Sequence, residues 1–351
     1  MSASDRLRVF IATPLTPENC ELLVELEPRI DLVVEQELLP PMRWVGDHDG
    51  DPAHTRTPEQ QARFDRLCDQ AEALYGIPDT DPAALARTVA ANPGLRWVHT
   101  MAAGGGAQLR AAGLDDDALQ RIAFTRSSGP HARTLAEFAL FGILAGAKDL
   151  PRLRAQQDAR QWTGRWVMRA VFDLTVLILG TGAIGAETAR LFSALGARVI
   201  GVNRSGHPVD GFDAVVPTDR IAEAAAEADA LVNTLPQSDG TTGIVSAEVL
   251  DALGPDALLA STGRGTAIDE PALVAALADG RVGFAALDVF AVEPLPADSP
   301  LWGMANVLIA PHTAALHGNE DRLIAELFTE NARRLLDGEE LLNPIDTKTF
   351  V

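Results

Sequence analysis

The sequence predicts an α/β protein of two parallel-sheet domains, the larger inserted into the smaller. Short apolar runs alternate with helical segments through the first 125 residues, and a second alternation begins at Val176 and supplies seven further apolar runs. A last helix near the carboxy terminus then has no strand after it and returns to the first domain. The domains are read as 1–125 with 318–351, and 126–317.

Bulk properties bound the function. A chain of 351 residues is long enough for two cores, and 47% hydrophobic with 22% charged residues fits an ordinary globular protein. The net charge of −20 argues against a nucleic-acid or anionic-membrane surface, although a local basic site can still take a phosphate-bearing ligand. The first residues, MSASDRLRVFIATPL, carry no signal-peptide pattern, and the most apolar helical stretch, AEFALFGILAGA, is 12 residues, too short to cross a bilayer. Cys20 and Cys68 are isolated, without metal-ligand or disulfide spacing, and read as packing residues. The cytoplasm is the expected compartment.

Along the chain, LRVFIATPL is a strand and turn, TPENCELLVEL a helix with a Thr cap, and IDLVVE a second strand. Residues 40–60 are rich in Pro, Gly, Asp and His and read as a loop. EQQARFDRLCDQ (helix), AEALYGI (strand) and DPAALARTVAA (helix) follow; LRWVHTMAAGGGA is a strand entering a Gly-rich loop, and RIAFTRSS one more strand. TLAEFALFGILAGAKDLPRL, from Thr134, reads as one long helix, leading to a polar segment that holds Trp162 and Trp166. The second series has strands at VLILG, ARVIGV, AVVP, ADALVNTL, ALLAS, FAALDVF and NVLIAP, and the final helix stops at Gly338.

The first turn of that series is a nucleotide-loop candidate. Gly180-Thr181-Gly182-Ala183-Ile184-Gly185 directly follows a strand and opens the helix AETARLFSALG, with another strand next. Glycines there let backbone N–H groups approach a pyrophosphate at a helix amino terminus. Such a Rossmann-like unit usually ends its second strand with an acid that accepts from a ribose 2′-OH. Here Asn203-Arg204-Ser205 stands instead. An acid would repel a 2′-phosphate, whereas Arg204 and Ser205 can donate to one, so NADP(H) is favoured and NAD(H) possible. Were Arg204 simply solvated, selectivity would be weak.

Three later pieces end predicted strands, where ligands collect in open parallel sheets: STGRG (261–265), LDVFAVEP (287–294) and APHTAA (310–315). They supply a cation, a carboxylate and an imidazole. Among these types only His has an ordinary pKa near neutrality, a carboxylate beside it favours the imidazolium, and a guanidinium suits an anionic ligand.

On these motifs the chain resembles the D-isomer-specific 2-hydroxyacid dehydrogenases, over essentially its whole length and most closely across 136–315. The resemblance implies a nucleotide-binding domain inserted into a flavodoxin-like substrate domain. It also implies catalytic residues Arg264, Glu293 and His312, whose intervals of 29 and 19 residues look like the family's own. It adds cofactor contacts at Thr234-Leu235-Pro236, at Thr262-Gly263-Arg264, at Asp288 toward the nicotinamide carboxamide, and at His312. The loop Ala103-Gly104-Gly105, with Arg264 and His312, is implied to bind substrate. The helix from Thr134 and the arm through Trp162 and Trp166 resemble dimerisation elements and imply a homodimer, though both Trp could instead be core. Leu74-Tyr75-Gly76, His48, His54 and Trp302 are further candidates to border the substrate pocket.

The chain departs from the family in several places. Ser261 stands where the family often has Asn, Ala310 stands for a Thr before Pro-His, and Gly106-Ala107-Gln108 lacks the acid that often follows the substrate loop. The chain leaves no room for the regulatory domain of long phosphoglycerate dehydrogenases. The implied function is a reductase of small 2-keto acids, of the glyoxylate or hydroxypyruvate type. The alternatives are a nucleotide-sensing, corepressor-like binding protein without turnover, a formate dehydrogenase (which has Gln where Glu293 stands), and a phosphite dehydrogenase.

Overall fold

The computed structural model describes residues 6–238 and 240–350. The chain divides into two compact units, one of residues up to His131 with those from Leu316 onward, the other Ala132–Ala315. The divisions lie six and two residues from the expected 125/126 and 317/318 (131 − 125 and 317 − 315).

The first unit holds β1 (Leu7–Ile11), α1 (Pro17–Leu26), β2 (Ile30–Val33), α2 (Pro58–Asp69), β3 (Ala73–Tyr75), α3 (Pro82–Ala91), β4 (Trp97–Thr100), α4 (Gly106–Ala111), α5 (Asp116–Arg121) and β5 (Ala123–Arg126). Thr16 and Thr57 start α1 and α2 with side-chain caps, and Thr57 and Gln60 form a reciprocal capping box. The sheet is parallel, ordered β2-β1-β3-β4-β5. The returning helix, Glu320–Asp337, belongs to this unit and ends at Gly338 in the left-handed conformation. Its Phe328 stacks on Trp97 at 4.3 Å and packs on Tyr75 at 5.0 Å. Leu74 and Tyr75, candidates to border the substrate pocket, are fully buried core residues. The segment after the helix lies along β5: Arg126 donates its backbone N–H to Asn343, and Ile345 donates to Phe124.

A buried hydrogen-bond chain runs through the ends of β4 and β5. Trp97 Nε1, which can only donate, gives its proton to Thr125 Oγ1 at 2.8 Å, leaving the Thr125 hydroxyl to donate to His99 Nδ1 at 2.7 Å. Ser127 Oγ donates to the Thr100 carbonyl, so it accepts from His99 Nε2 at 3.0 Å. Each proton is used once, and the imidazole is neutral. Burial pushes the His99 pKa down to about 3 from 6.5.

The second unit holds α6 (Ala132–Ala147), α7 (Leu150–Asp158), β6 (Thr175–Leu179), α8 (Ala183–Ala194), β7 (Arg198–Asn203), β8 (Ala214–Pro217), α9 (Ile221–Ala225), β9 (Ala230–Asn233), α10 (Ala247–Ala252), β10 (Ala257–Ser261), α11 (Glu270–Ala278), β11 (Val282–Leu287) and β12 (Val307–Ile309). All seven expected strands are present, in one parallel sheet ordered β12-β11-β10-β9-β6-β7-β8. Both faces are covered: Val176 and Ile178 pack beneath α6 and α8, while Leu177 and Leu179 join the core on the other side. The buried face of α6 carries small residues, Ala136, Ala139 and Gly142, and Gly142 lets it lie close on β10 and β11.

The single helix expected from Thr134 is two. Asp149 adopts φ +56°, breaks the helical path, and caps α7 through Arg152 N–H. Pro151 cannot continue α6 but suits the first turn of α7. Trp162 is fully exposed rather than core, and Trp166 lies under the Arg152 guanidinium at 4.0 Å.

The His99 chain carries a pH dependence. Its folded pKa lies below its unfolded value, so between pH 6.5 and 3 the unfolded chain binds a proton that the folded chain refuses. Stability falls on acidification, by about 1.4 kcal/mol per pH unit at most from this group. Urea unfolding at pH 7 and pH 5.5 should show His99→Asn losing about 1 kcal/mol less than wild type; equal losses would refute the neutral imidazole.

Candidate active site

The parallel register sets the site. Leu179, Asn233, Ser261, Leu287 and Ile309 are successive partners across β6, β9, β10, β11 and β12. Five loops therefore leave the sheet at one level, on strands about 4.8 Å apart. The chain runs outward from β6 through β7 to β8 on one side and through β9 to β12 on the other, so the order reverses at β6 and β9. That is where ligands bind in open α/β sheets.

After β6, Gly180 has φ +96°, which only glycine adopts freely. A Cβ on Gly185 would collide with the Gly180 carbonyl, so that glycine lets α8 approach the strand. A Cβ on Gly182 would meet open space. The N–H groups of Thr181, Gly182 and Ala183 make no hydrogen bond among the described residues, and no side chain caps α8. Uncapped donors beside an open glycine suit a pyrophosphate.

Two of the expected contact side chains are also used by the protein itself. Thr234 Oγ1 donates to the Leu179 carbonyl at 2.8 Å, tying β9 to the glycine turn. Asn203 Oδ1 accepts from Ser205 and Gly206 N–H, and its Nδ2 donates to the His207 carbonyl at 3.0 Å. The carboxamide thus shapes a turn that leaves Arg204 exposed, with no hydrogen bond or ion pair among the described residues. Leu235 is partly covered and Pro236 exposed beside this edge.

Arg264 follows β10 between two glycines that packing requires. A Cβ on Gly263 would strike the Leu235 backbone, and one on Gly265 the Phe290 backbone. The loop is pinned between the turns after β9 and β11. Arg264 is half-buried, and its Nη1 donates to the Gly263 carbonyl at 2.9 Å.

After β11 and β12 the acid and the imidazole meet. His312 Nδ1 lies 2.7 Å from Glu293 Oε2, and because an ionised carboxylate only accepts, Nδ1 carries the proton. Glu293 Oε1 accepts from Phe290 N–H at 3.0 Å, which orients the carboxylate. The His312 backbone takes φ +52° and donates to the Asp288 carbonyl. Its Nε2 makes no hydrogen bond among the described residues.

Asp288 is fully buried; Oδ1 accepts from Thr313 and Ala314 N–H, while Oδ2 has no hydrogen-bond partner among the described residues. Burial raises its pKa, against the lowering effect of those two N–H groups. The buried Thr262 Oγ1 is unpartnered as well. An unmet acceptor and an unmet hydroxyl fit an amide-bearing ring, as an open glycine turn fits a diphosphate.

The loop Ala103-Gly104-Gly105 lies in the first unit, after β4, where the N–H groups of Ala103 and Gly104 are unused among the described residues. Gly105 packs against the Thr100 side chain. His48 is half-buried in the same unit beside Glu320, at 3.8 Å, whereas Trp302 is exposed in the second unit and donates to the Pro296 carbonyl.

Sequence reading missed Asn233. It is fully buried, and its Nδ2 donates to Ser261 Oγ at 3.0 Å and to the Arg264 carbonyl at 3.2 Å. The available signal was a lone carboxamide closing an otherwise apolar strand, ALVN.

The profile of the D-isomer specific 2-hydroxyacid dehydrogenase NAD binding domain matches residues 140–314. Glyoxylate/hydroxypyruvate reductase B of Yersinia pestis is 31% identical over 301 residues, 82% of this chain and 89% of that protein. The chain belongs to the D-isomer-specific 2-hydroxyacid dehydrogenase family. Hydroxyphenylpyruvate reductase of Plectranthus scutellarioides is 30% identical, across 82% of this chain and 90% of its own length. The structure of a family member from Xanthobacter autotrophicus Py2, in complex with NADPH and MES, is similar with a TM-score of 0.77, at 28% identity and 99% coverage of both chains. As a D-2-hydroxyacid dehydrogenase the protein is an oxidoreductase of the NAD(P)-dependent type, acting on small hydroxy or keto acids. No helix among the described residues is long and apolar enough to cross a membrane, and the described residues contain no group of three or more His, Cys, Asp or Glu side chains arranged to hold a metal ion.

Proposed function

We propose that the protein is an NADPH-preferring reductase of small 2-keto acids of the glyoxylate or hydroxypyruvate type, with Arg264, Glu293 and His312 as its catalytic residues. The observation that carries this reading is the Glu293–His312 pair, whose second ring nitrogen is left free on the edge of the sheet that bears Arg264 and the glycine turn.

A bound dihydronicotinamide supplies the hydride that reduces the keto carbon. His312 Nε2 donates a proton to the oxygen as charge develops there, and Glu293 stabilises the imidazolium and holds the ring in position. Arg264 pairs with the substrate carboxylate. The loop Ala103-Gly104-Gly105 of the first unit, whose Ala103 and Gly104 N–H groups are unused among the described residues, is a substrate-binding element in the same reading. Asp288 Oδ2 and Thr262 Oγ1 meet the nicotinamide amide, and the glycine turn with α8 holds the diphosphate. Arg204 and Ser205 meet the 2′-phosphate, on a turn shaped by Asn203. The NADPH bound to the Xanthobacter relative and the name of the Yersinia relative support the coenzyme and substrate class.

The same reading includes a homodimer through the second unit. Trp162, Val167 and Phe172 are exposed on the arm after α7, and Phe141 is half-exposed on α6, more apolar surface than a solvated arm needs.

Steady oxidation of NADPH with a panel of 2-keto acids tests the function, and its absence with every acid would refute it. His312→Gln should lower kcat by about 10²–10⁴-fold while coenzyme binding stays within about threefold; loss of coenzyme binding instead would misplace the residue. Arg204→Asp should move preference toward NADH by about tenfold or more, since an Arg–phosphate hydrogen bond contributes about 1.5–3 kcal/mol. Unchanged selectivity would refute the 2′-phosphate contact. Sedimentation should show wild type as a dimer and Trp162→Glu shifted toward monomer; a monomeric wild type would remove the dimer.

A further inference from the structure

We infer that Asn233 is a positioning residue for Arg264, acting through Ser261 as a carboxamide–hydroxyl pair that fixes the height of the guanidinium above the sheet. This rests on the proposed role of Arg264.

Asn233 uses every polar group it has. Its carbonyl accepts from Thr262 and Gly263 N–H, its Oδ1 accepts from Leu235 N–H, and its Nδ2 donates to Ser261 Oγ and to the Arg264 carbonyl. One side chain thereby ties three segments: the turn after β9, the end of β10, and the main chain of Arg264 itself. Ser261 is its register partner and, like Asn233, is fully buried. With Gly263 against Leu235 and Gly265 against Phe290, Arg264 keeps only its side-chain torsions as freedom.

The donor pattern explains the residue type. The Arg264 carbonyl and Ser261 Oγ both accept here, so the residue on β9 must present an N–H₂ to them and an oxygen to Leu235 N–H. Asp would lack the donor and bury a charge, Ser is too short to reach both, and Leu would leave all three groups unsatisfied. Ser261 is the register partner of Asn233 on the neighbouring strand, so a carboxamide moved there starts at the same height beside the Arg264 main chain, and the two positions should be exchangeable.

The test compares wild type, Asn233→Ala, Asn233→Ser and the double variant Asn233→Ser/Ser261→Asn. Oxamate, a 2-keto acid analogue that cannot be reduced, is titrated calorimetrically into each NADPH complex. Both single variants should weaken oxamate and raise the keto-acid KM by about tenfold or more, because small displacements of a positioned group are costly. NADPH affinity should stay within about twofold and kcat should fall less than KM rises. The double variant should recover most of the loss. Unchanged oxamate affinity, or losses of oxamate and NADPH in parallel with a lowered melting temperature and no recovery in the double variant, would overturn the inference. Failure of the proposed function shows separately, as wild-type protein inert toward every keto acid. The rate of phenylglyoxal modification at Arg264, mapped by mass spectrometry, then still decides the role of Asn233: faster in Asn233→Ala supports it, unchanged refutes it.

Discussion

The equal height of five strand ends is the constraint on which the site depends. In a parallel sheet each strand enters from the same side, so residues that are register partners bring their following loops out together. Leu179, Asn233, Ser261, Leu287 and Ile309 are such partners. A slip of one residue in β10 would turn Ser261 to the opposite face and break its bond with Asn233. Burial of both sheet faces resists that slip, because Leu259 and Ala260 face different cores.

Much of this was legible in the chain. The seven strands of the second unit, the glycine turn and the Arg, Glu and His positions stand in local patterns of a few residues each. What could not be read depends on atoms distant in sequence. The need for glycine on both sides of Arg264 comes from Leu235 and Phe290, and the use of Asn203 as a turn former comes from the path of residues 205–207. Pro151 marks the boundary between α6 and α7 in the sequence, but the sharpness of the break depends on the left-handed backbone of Asp149, which no local pattern announces. Tyr75, a candidate pocket residue at the end of β3, is held in the core by Phe328, more than 250 positions away.

Membership in a dehydrogenase family also bears on the charge of the molecule. A net charge of −20 would repel an anionic coenzyme and an anionic acid, so attraction has to be local. The local means are visible: backbone donors at the glycine turn, an unpaired Arg204, and Arg264 pinned between glycines. Each acts within a few ångströms, where screening by salt is weak compared with its effect on the distant acidic surface. The nucleotide-sensing alternative would use the same donors, but relatives of this chain carry the names of dehydrogenases and reductases.

The segment that follows the returning helix has a role beyond tidiness. By running antiparallel beside β5, with Pro344 opposite Thr125, it occupies the hydrogen-bonding rim that an outermost strand would otherwise offer to another chain. Pro344 itself has no amide hydrogen to extend the ladder further outward. A nick just before Asn343 would therefore do more than trim a tail: it would bare a sticky margin on the first unit, and clumping rather than unfolding would be the first symptom.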